Sequence, residues 1–231
     1  MTGSASGFRA GLWRANPVLV QLLGLSPALA TTRSAATALG LGLATLAVLI
    51  VSRTAEAVVE RRISAAVRMP AQLLLIAAGT GCVDLLVQAY RYPLHQQLGI
   101  FVPLIAANGA LLWGSGSPRS SGTAAADALG TGLGFMGVLT LLGALRELAG
   151  QGTLGSGMEL LFGSAAAGWK IQVLPAGYGF PLWLLPSGAF LLAGLLIALR
   201  NAIALRQRAS APEPPTPGTK RVRVTDAASR D

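Results

Sequence analysis

Gln21-Leu22-Leu23-Gly24-Leu25-Ser26-Pro27 is echoed further along the chain by Gln96-Gln97-Leu98-Gly99-Ile100-Phe101-Val102-Pro103. Each copy is followed by an apolar, Gly-rich stretch: Ala38-Leu39-Gly40-Leu41-Gly42-Leu43, then Ala128-Leu129-Gly130-Thr131-Gly132-Leu133. Leu23 and Leu98 stand 75 positions apart, and Ala38 and Ala128 stand 90 apart. A repeated apolar segment broken by Gly and Pro is the pattern of two half-proteins whose interrupted helices meet near a bilayer midplane.

Composition supports a membrane setting. Of 231 residues, 52% are hydrophobic and 12% charged, against about 25% charged in a soluble domain. Uncharged stretches run over Ala15–Thr32, Ser34–Ser52, Met69–Val83, Gln96–Pro118, Ala128–Leu145 and Ile171–Leu199. Five reach the roughly 17–25 residues that a spanning helix needs. The third reaches it when Asp84 is included and the segment runs to Tyr90. The expected fold is all-α and integral to the membrane, with six transmembrane segments. Three spans per half is an odd number, so the halves insert with opposite orientation, as an inverted repeat of three plus three. The repeat halves cover about 16–90 and 94–205 of a single membrane domain, 16–205. Residues 1–15 form an N-terminal segment. Residues 206–231, basic and rich in Pro, form a tail expected to be disordered. The polar start carries Arg9 and Arg14 and no cleavage pattern, so the first apolar block is expected to stay in the mature protein.

The net charge of +9 matters less than its location. With six spans, 14 of the 18 basic residues fall on the side of the termini; Arg33, Arg91, Arg146 and Lys170 fall opposite. The positive-inside rule puts both termini of this multi-pass protein in the cytoplasm. Anionic lipid accounts for this basicity, and nucleic acid is not the expected partner. One cysteine, Cys82, and one histidine, His95, exclude a disulfide framework and a metal site built by this chain from thiolates or imidazoles alone.

Asn16-Pro17 reads as a helix start. The broken-helix positions Gly24, Pro27, Gly99 and Pro103 are the first candidate site, because interrupted backbone survives in lipid only when it is packed or lines a polar cavity. Arg53–Arg68 reads as a cytoplasmic amphipathic helix, with Ala57, Val58, Ile63 and Val67 on its lipid side. Asp84 is the acid placed well inside a span and is the candidate ion path. Glu147 joins it as a second candidate, although Arg146-Glu147 also reads as an interfacial pair. Trp169, Tyr178 and Trp183 suit the outer interface. No catalytic motif is present.

The same residues resemble the family of E subunits of the Rnf electron transport complex, and more distantly the D subunits of sodium-pumping NADH:quinone reductases. The matching stretches are Asn16–Leu25, Ala38–Thr45, Leu98–Ile105, Leu145-Arg146-Glu147-Leu148 with Gly150 and Gly152-Thr153-Leu154, and Leu185–Phe190, in order across about 16–200. The resemblance implies a non-catalytic membrane subunit of a complex that couples electron transfer, from the ferredoxin or NADH side, to ion translocation. Implied partners are a homologous A-type membrane subunit of opposite orientation, the other Rnf-type subunits, and lipid. It also implies a [2Fe-2S] cluster at the interface with the A-type partner, with each partner giving a cysteine from each broken helix. At those two positions this chain has Ser26 and Gly109, so no cofactor is expected to be bound by this chain alone. Two alternatives stand beside this reading: a redox-inactive scaffold or assembly paralogue of that subunit, and a stand-alone ion transporter.

Overall fold

A computed structural model describes residues 12, 16–59, 62–108, 121–166, 168–175 and 179–209. Two compact units divide the chain, Met1–Ile197 and Ala198–Asp231. The described helices are α1 (Leu25–Ala30), α2 (Ala35–Val59), α3 (Arg68–Tyr90), α4 (Tyr92–Leu98), α5 (Ser121–Gln151), α6 (Glu159–Phe162) and α7 (Pro186–Ala209). Four of them, α2, α3, α5 and α7, are long and apolar enough to cross a membrane. The first and fourth apolar blocks, expected as spans, instead hold short pieces in the described residues.

The Gly-rich stretches explain the centre of the first unit. A Cβ placed on Gly42 would lie 2.6 Å from Met136 Cγ, and one on Gly143 would lie 2.7 Å from the Ser34 carbonyl oxygen. Gly132 faces Leu46 in the same way. Small residues therefore let α2 and α5 approach closely, as they do in membrane helix pairs. The partners run 34 with 143, 42 with 136 and 46 with 132, so the two helices are antiparallel. Ala38, Leu41, Val48 and Leu49 from α2 are buried with Ala128, Phe135, Leu139 and Leu142 from α5, joined by Val18, Ala28, Leu94, Leu98 and Ile105 from the broken segments. By contrast, Leu74 of α3 is 74% exposed and Leu195 of α7 is 64% exposed, apolar surface that this chain does not cover itself.

The breaks fall at glycines, and the prolines act differently from the expectation. Gly24 has φ 76°, a left-handed conformation that Gly adopts without strain. α1 starts one residue later and holds Pro27 in its first turn, where no N–H is needed. In the second segment α4 stops at Leu98, Gly99 turns with φ 51° and ψ −129°, and Pro103 opens a 3-10 turn, Pro103–Ala107. So in the second segment Gly99 ends one piece and Pro103 begins the next, while in the first Leu22 (φ 58°) and Gly24 turn the chain into α1 and Pro27 joins its first turn. Asn16 does cap the chain that follows: its Oδ1 accepts from the Val18 and Leu19 amides at 3.0 and 3.1 Å. The turn it caps is short, ending before Leu22.

The expected amphipathic helix over 53–68 is not a separate element. α2 continues through Val59, and a 3-10 turn over Ala65–Val67 leads into α3. Ala57 is buried while Val58 is 58% exposed, so they do not share a lipid side. Beyond α5, β1 (Thr153–Leu154) pairs antiparallel with β2 (Ile171–Gln172), Thr153 opposite Gln172. A 3-10 turn, Pro181–Leu184, precedes α7. Helix α7 begins at Pro186, well inside the apolar stretch Ile171–Leu199, and continues to Ala209. Residues 1–11 and the tail beyond Ala209 lie outside the described residues, as do Gly109 and Tyr178.

Candidate functional site

The two broken segments meet. A Cβ on Gly24 would lie 2.7 Å from Phe135 Cε2 and 3.2 Å from Asn108 Oδ1. Next to this contact is a cavity of about 150 Å³. Gly24, Ser26 and Pro27 of the first segment line it, with Phe101, Leu104, Ile105, Ala107 and Asn108 of the second and Leu41 and Thr45 of α2. Gly99 and Pro103 stand on either side of Phe101 without lining it. Thr45 Oγ1 donates to the Leu41 carbonyl at 2.8 Å, which leaves its oxygen lone pairs open. From Ala35 at the start of α2 to Thr45 is about 15 Å along the helix axis.

A second, polar cavity of about 650 Å³ lies at the α2-start end of the first unit, lined by Thr31, Arg33, Ser34, Gln97, Gln151 and Glu159 among others. Phe101 also lines it.

Arg146 and Glu147, expected as an interfacial pair, are both buried and serve different neighbours. Arg146 is 1% exposed. Its Nε donates to the Trp183 carbonyl (3.0 Å), one Nη to Leu29 O (3.0 Å) and Thr32 Oγ1 (2.7 Å), and the other Nη to Leu184 O (2.7 Å) and Leu185 O (3.3 Å). These include a carbonyl near the end of α1 and those of the turn before α7. Leu185 O also accepts from the Ala189 amide at 3.2 Å, while carbonyls in the last turn of a helix have no partner within it. Glu147 is fully buried. It accepts from the Ala35 amide at 3.0 Å, the Ser156 amide at 2.7 Å and Thr153 Oγ1 at 3.3 Å. Ala35 is the first residue of α2, so the carboxylate occupies a helix N-terminus, where negative charge is favoured.

Asp84 on α3 faces His95 on α4, with His95 Nε2 3.0 Å from Asp84 Oδ1. The two side chains are 26% and 22% exposed. Tyr92 stacks on His95 with centroids 6.4 Å apart. His95 was not a candidate in the sequence. The signal was the single-residue link Arg91 between α3 and α4, which folds the two helices back on one another.

The donors at the cavity do not fit an iron–sulfur cluster. Ser26 and Asn108 present a hydroxyl and a carboxamide where thiolates are required. Cys82 is exposed on α3 and does not line the cavity. Among the described residues no three His, Cys, Asp or Glu side chains come together.

Long apolar helices, an antiparallel Gly-packed pair, and two broken segments that meet at a cavity define a helical membrane protein of the kind that works within a translocating machine. The chain belongs to the Rnf-Nqr family of membrane subunits, whose sequence profile matches residues 5–197. It is 53% identical to the E subunit of the ion-translocating oxidoreductase complex of Pseudomonas paraeruginosa, over 94% of each chain. It is 45% identical to the protein of the same name from Cellvibrio japonicus over 95% of each, and 44% identical to that of Vibrio parahaemolyticus over 94% of this chain and 96% of the relative.

Proposed function

We propose that this chain is the E-type membrane component of an Rnf-type complex that couples electron transfer, from the ferredoxin or NADH side, to ion translocation. The observation that carries this is near full-length identity to subunits of that name, joined to two broken segments that meet inside the chain. The partners under this reading are a homologous A-type membrane subunit and the other complex subunits, which must supply flavin and nicotinamide chemistry. The exposed apolar faces of α3 and α7 provide the surface for that assembly and for lipid.

The topology we infer is six segments as an inverted repeat, in a bacterial inner membrane, with both termini cytoplasmic. Three observations support it. The corresponding Gly-rich helices α2 and α5 are antiparallel. The breaks meet about 15 Å from the start of α2, half of a hydrocarbon core of roughly 30 Å. Counted over six segments, 14 of the 18 basic residues fall on the side of the termini.

In this reading the chain gives no ligand to a cluster, and its contribution is the scaffold and an ion path that includes Asp84. The test is to purify the tagged chain with its A-type partner anaerobically and assay iron and acid-labile sulfide. The expected result is a stable pair in which Ser26→Ala leaves iron content unchanged. Loss of iron with Ser26→Ala would overturn the ligand-free reading. A chain that purifies alone and takes up ions in vesicles would overturn the complex-bound reading and favour the stand-alone transporter.

A further inference from the structure

The polar groups of α3 share one stripe. Gln72, Thr80 and Asp84, with Ile76 among them, recur every four residues and are buried or half-buried. Leu73, Leu74, Leu85 and Leu86 on the other side are exposed. A Cβ on Gly79 would lie 3.9 Å from Val48 Cγ1, so the stripe packs on α2. Arg68 opens α3 and Tyr90 closes it. Thr80 therefore lies about 18 Å from one end and about 15 Å from the other, near the middle of the span. Thr45, Ser52 and Thr140 each donate their hydroxyl to the carbonyl four residues earlier, at 2.7–2.8 Å. Thr80 breaks that habit: it is 2% exposed, and its buried Oγ1 has no hydrogen-bond partner among the described residues. Buried polar groups are almost always partnered, so an orphaned hydroxyl in mid-span is one that a bound group would satisfy.

Asp84 stands one turn further along the same stripe. Residues four apart on a helix have Cβ atoms about 5–6 Å apart, and helical side chains lean toward the N-terminus. The Asp84 carboxylate therefore leans over the turn that carries Thr80. Its one hydrogen bond among the described residues is the His95 contact, 3.0 Å at Oδ1. Asp84 is partly exposed and Thr80 is not, so the pair is open at the acid and closed at the hydroxyl. A carboxylate and a neutral hydroxyl are hard oxygen donors that carry one negative charge between them. That set suits a monovalent cation that keeps part of its water. Calcium takes 6–8 oxygens, several of them from carboxylates. Among the described residues no third His, Cys, Asp or Glu side chain joins Asp84 and His95, which sets aside the transition metals.

We infer that Thr80 and Asp84 form a site for an alkali cation halfway along α3. The Asp84 carboxylate admits the ion, and the Thr80 hydroxyl is the second ligand. This rests on the ion path through Asp84 proposed above and adds to it the partner residue and the class of ion. The test measures binding of radioactive sodium to the full chain, purified in detergent, in choline chloride buffer. Binding should saturate, and unlabelled sodium should displace it while choline does not. Thr80→Val keeps the shape and removes the hydroxyl, and should weaken binding about tenfold or more. Thr80→Ser keeps the hydroxyl and should bind nearly as the parent does. Asp84→Asn, at a partly exposed position, should abolish binding, and Cys82→Ser on the exposed face should not change it. In choline, Thr80→Val should melt no lower than the parent, because an unpartnered hydroxyl gives the fold no hydrogen bond. A parent chain without saturable sodium binding would overturn the site. So would unchanged binding in Thr80→Val or Asp84→Asn, or equal loss in Thr80→Ser and Thr80→Val. A Thr80→Val chain that melts lower or fails to fold in choline would make the hydroxyl structural and overturn it too. Failure of the chain to join a complex would appear in co-purification and not in sodium binding by the single chain.

Discussion

Replacing Arg146 with Lys keeps the charge and removes the fork, and that separates two accounts of this residue. Arg146 donates to five acceptors: the carbonyls of Leu29, Trp183, Leu184 and Leu185 and the Thr32 hydroxyl. A lysine ammonium has three N–H donors at most. At least two of the five charge-assisted hydrogen bonds are therefore lost. Each such bond contributes about 1.5–3 kcal/mol, so the loss is about 3–6 kcal/mol. For a domain of this size, 1 kcal/mol lowers Tm by roughly 2–4 °C. The melting temperature of the detergent-purified chain, followed by the fluorescence of its four tryptophans, should fall by at least about 6 °C. Arg62→Lys, at an exposed position, serves as the control and should leave Tm unchanged. If Arg146→Lys melts within a degree of the parent, charge alone is sufficient there, and the argument from satisfied carbonyls fails.

The Gly-packed seam gives a sharper contrast. Gly143→Ala places a methyl group 2.7 Å from the Ser34 carbonyl oxygen and should cost about 1–3 kcal/mol, whereas Gly137→Ala meets nothing within 4 Å and should be neutral or stabilising by up to about 1 kcal/mol; equal melting temperatures would refute the antiparallel seam. Asp84→Asn in the assembled complex should lower ion accumulation several-fold while electron transfer continues, and unchanged accumulation in vesicles would remove Asp84 from the path. A green fluorescent protein fused to the C-terminus should fluoresce and an alkaline phosphatase fusion there should be inactive; the opposite pattern would invert the inferred topology.

The sequence showed the helices where apolar length decides the matter. The second, third, fifth and sixth blocks each became one long helix, with boundaries shifted outward at most ends because a helix does not stop where lipid stops. The connection over 53–68 illustrates this: its charges marked the membrane surface, not the end of α2. The broken segments were visible in the repeat, but the roles of their residues were exchanged. Pro27 and Pro103 looked like the breakers because proline interrupts a helix interior. At the first turn of a new helix it interrupts nothing, and the left-handed residues Leu22, Gly24 and Gly99 carry the change of direction. That Gly24 lies against Asn108 was not legible, since nothing in either stretch states the angle at which a chain leaves a left-handed residue. That Phe101 and Thr45 line one cavity was equally hidden, because that space lies between elements.

Arg146-Glu147 was the most misleading pair, and the reason is geometric. Two adjacent opposite charges near the end of an apolar helix suggest a solvated surface pair. On a helix, however, adjacent side chains point about 100° apart and therefore address different neighbours. Here the neighbours are the two ends of one tight turn. α1 ends at Ala30 and α2 begins at Ala35, so exposed carbonyls and exposed amides occur within a few residues of each other. Lipid can satisfy neither set. A cation for the carbonyls and an anion for the amides, side by side on α5, satisfies both and leaves the buried pair neutral overall. Both Glu147 oxygens are occupied in this arrangement, one by Ala35 and the other by Ser156 and Thr153. An ion bound at Glu147 would have to displace a helix cap, whereas one at Asp84 would displace only the His95 contact. Glu147 is thus held as a cap of α2, and of the two acids it is Asp84 on which the proposed ion path rests.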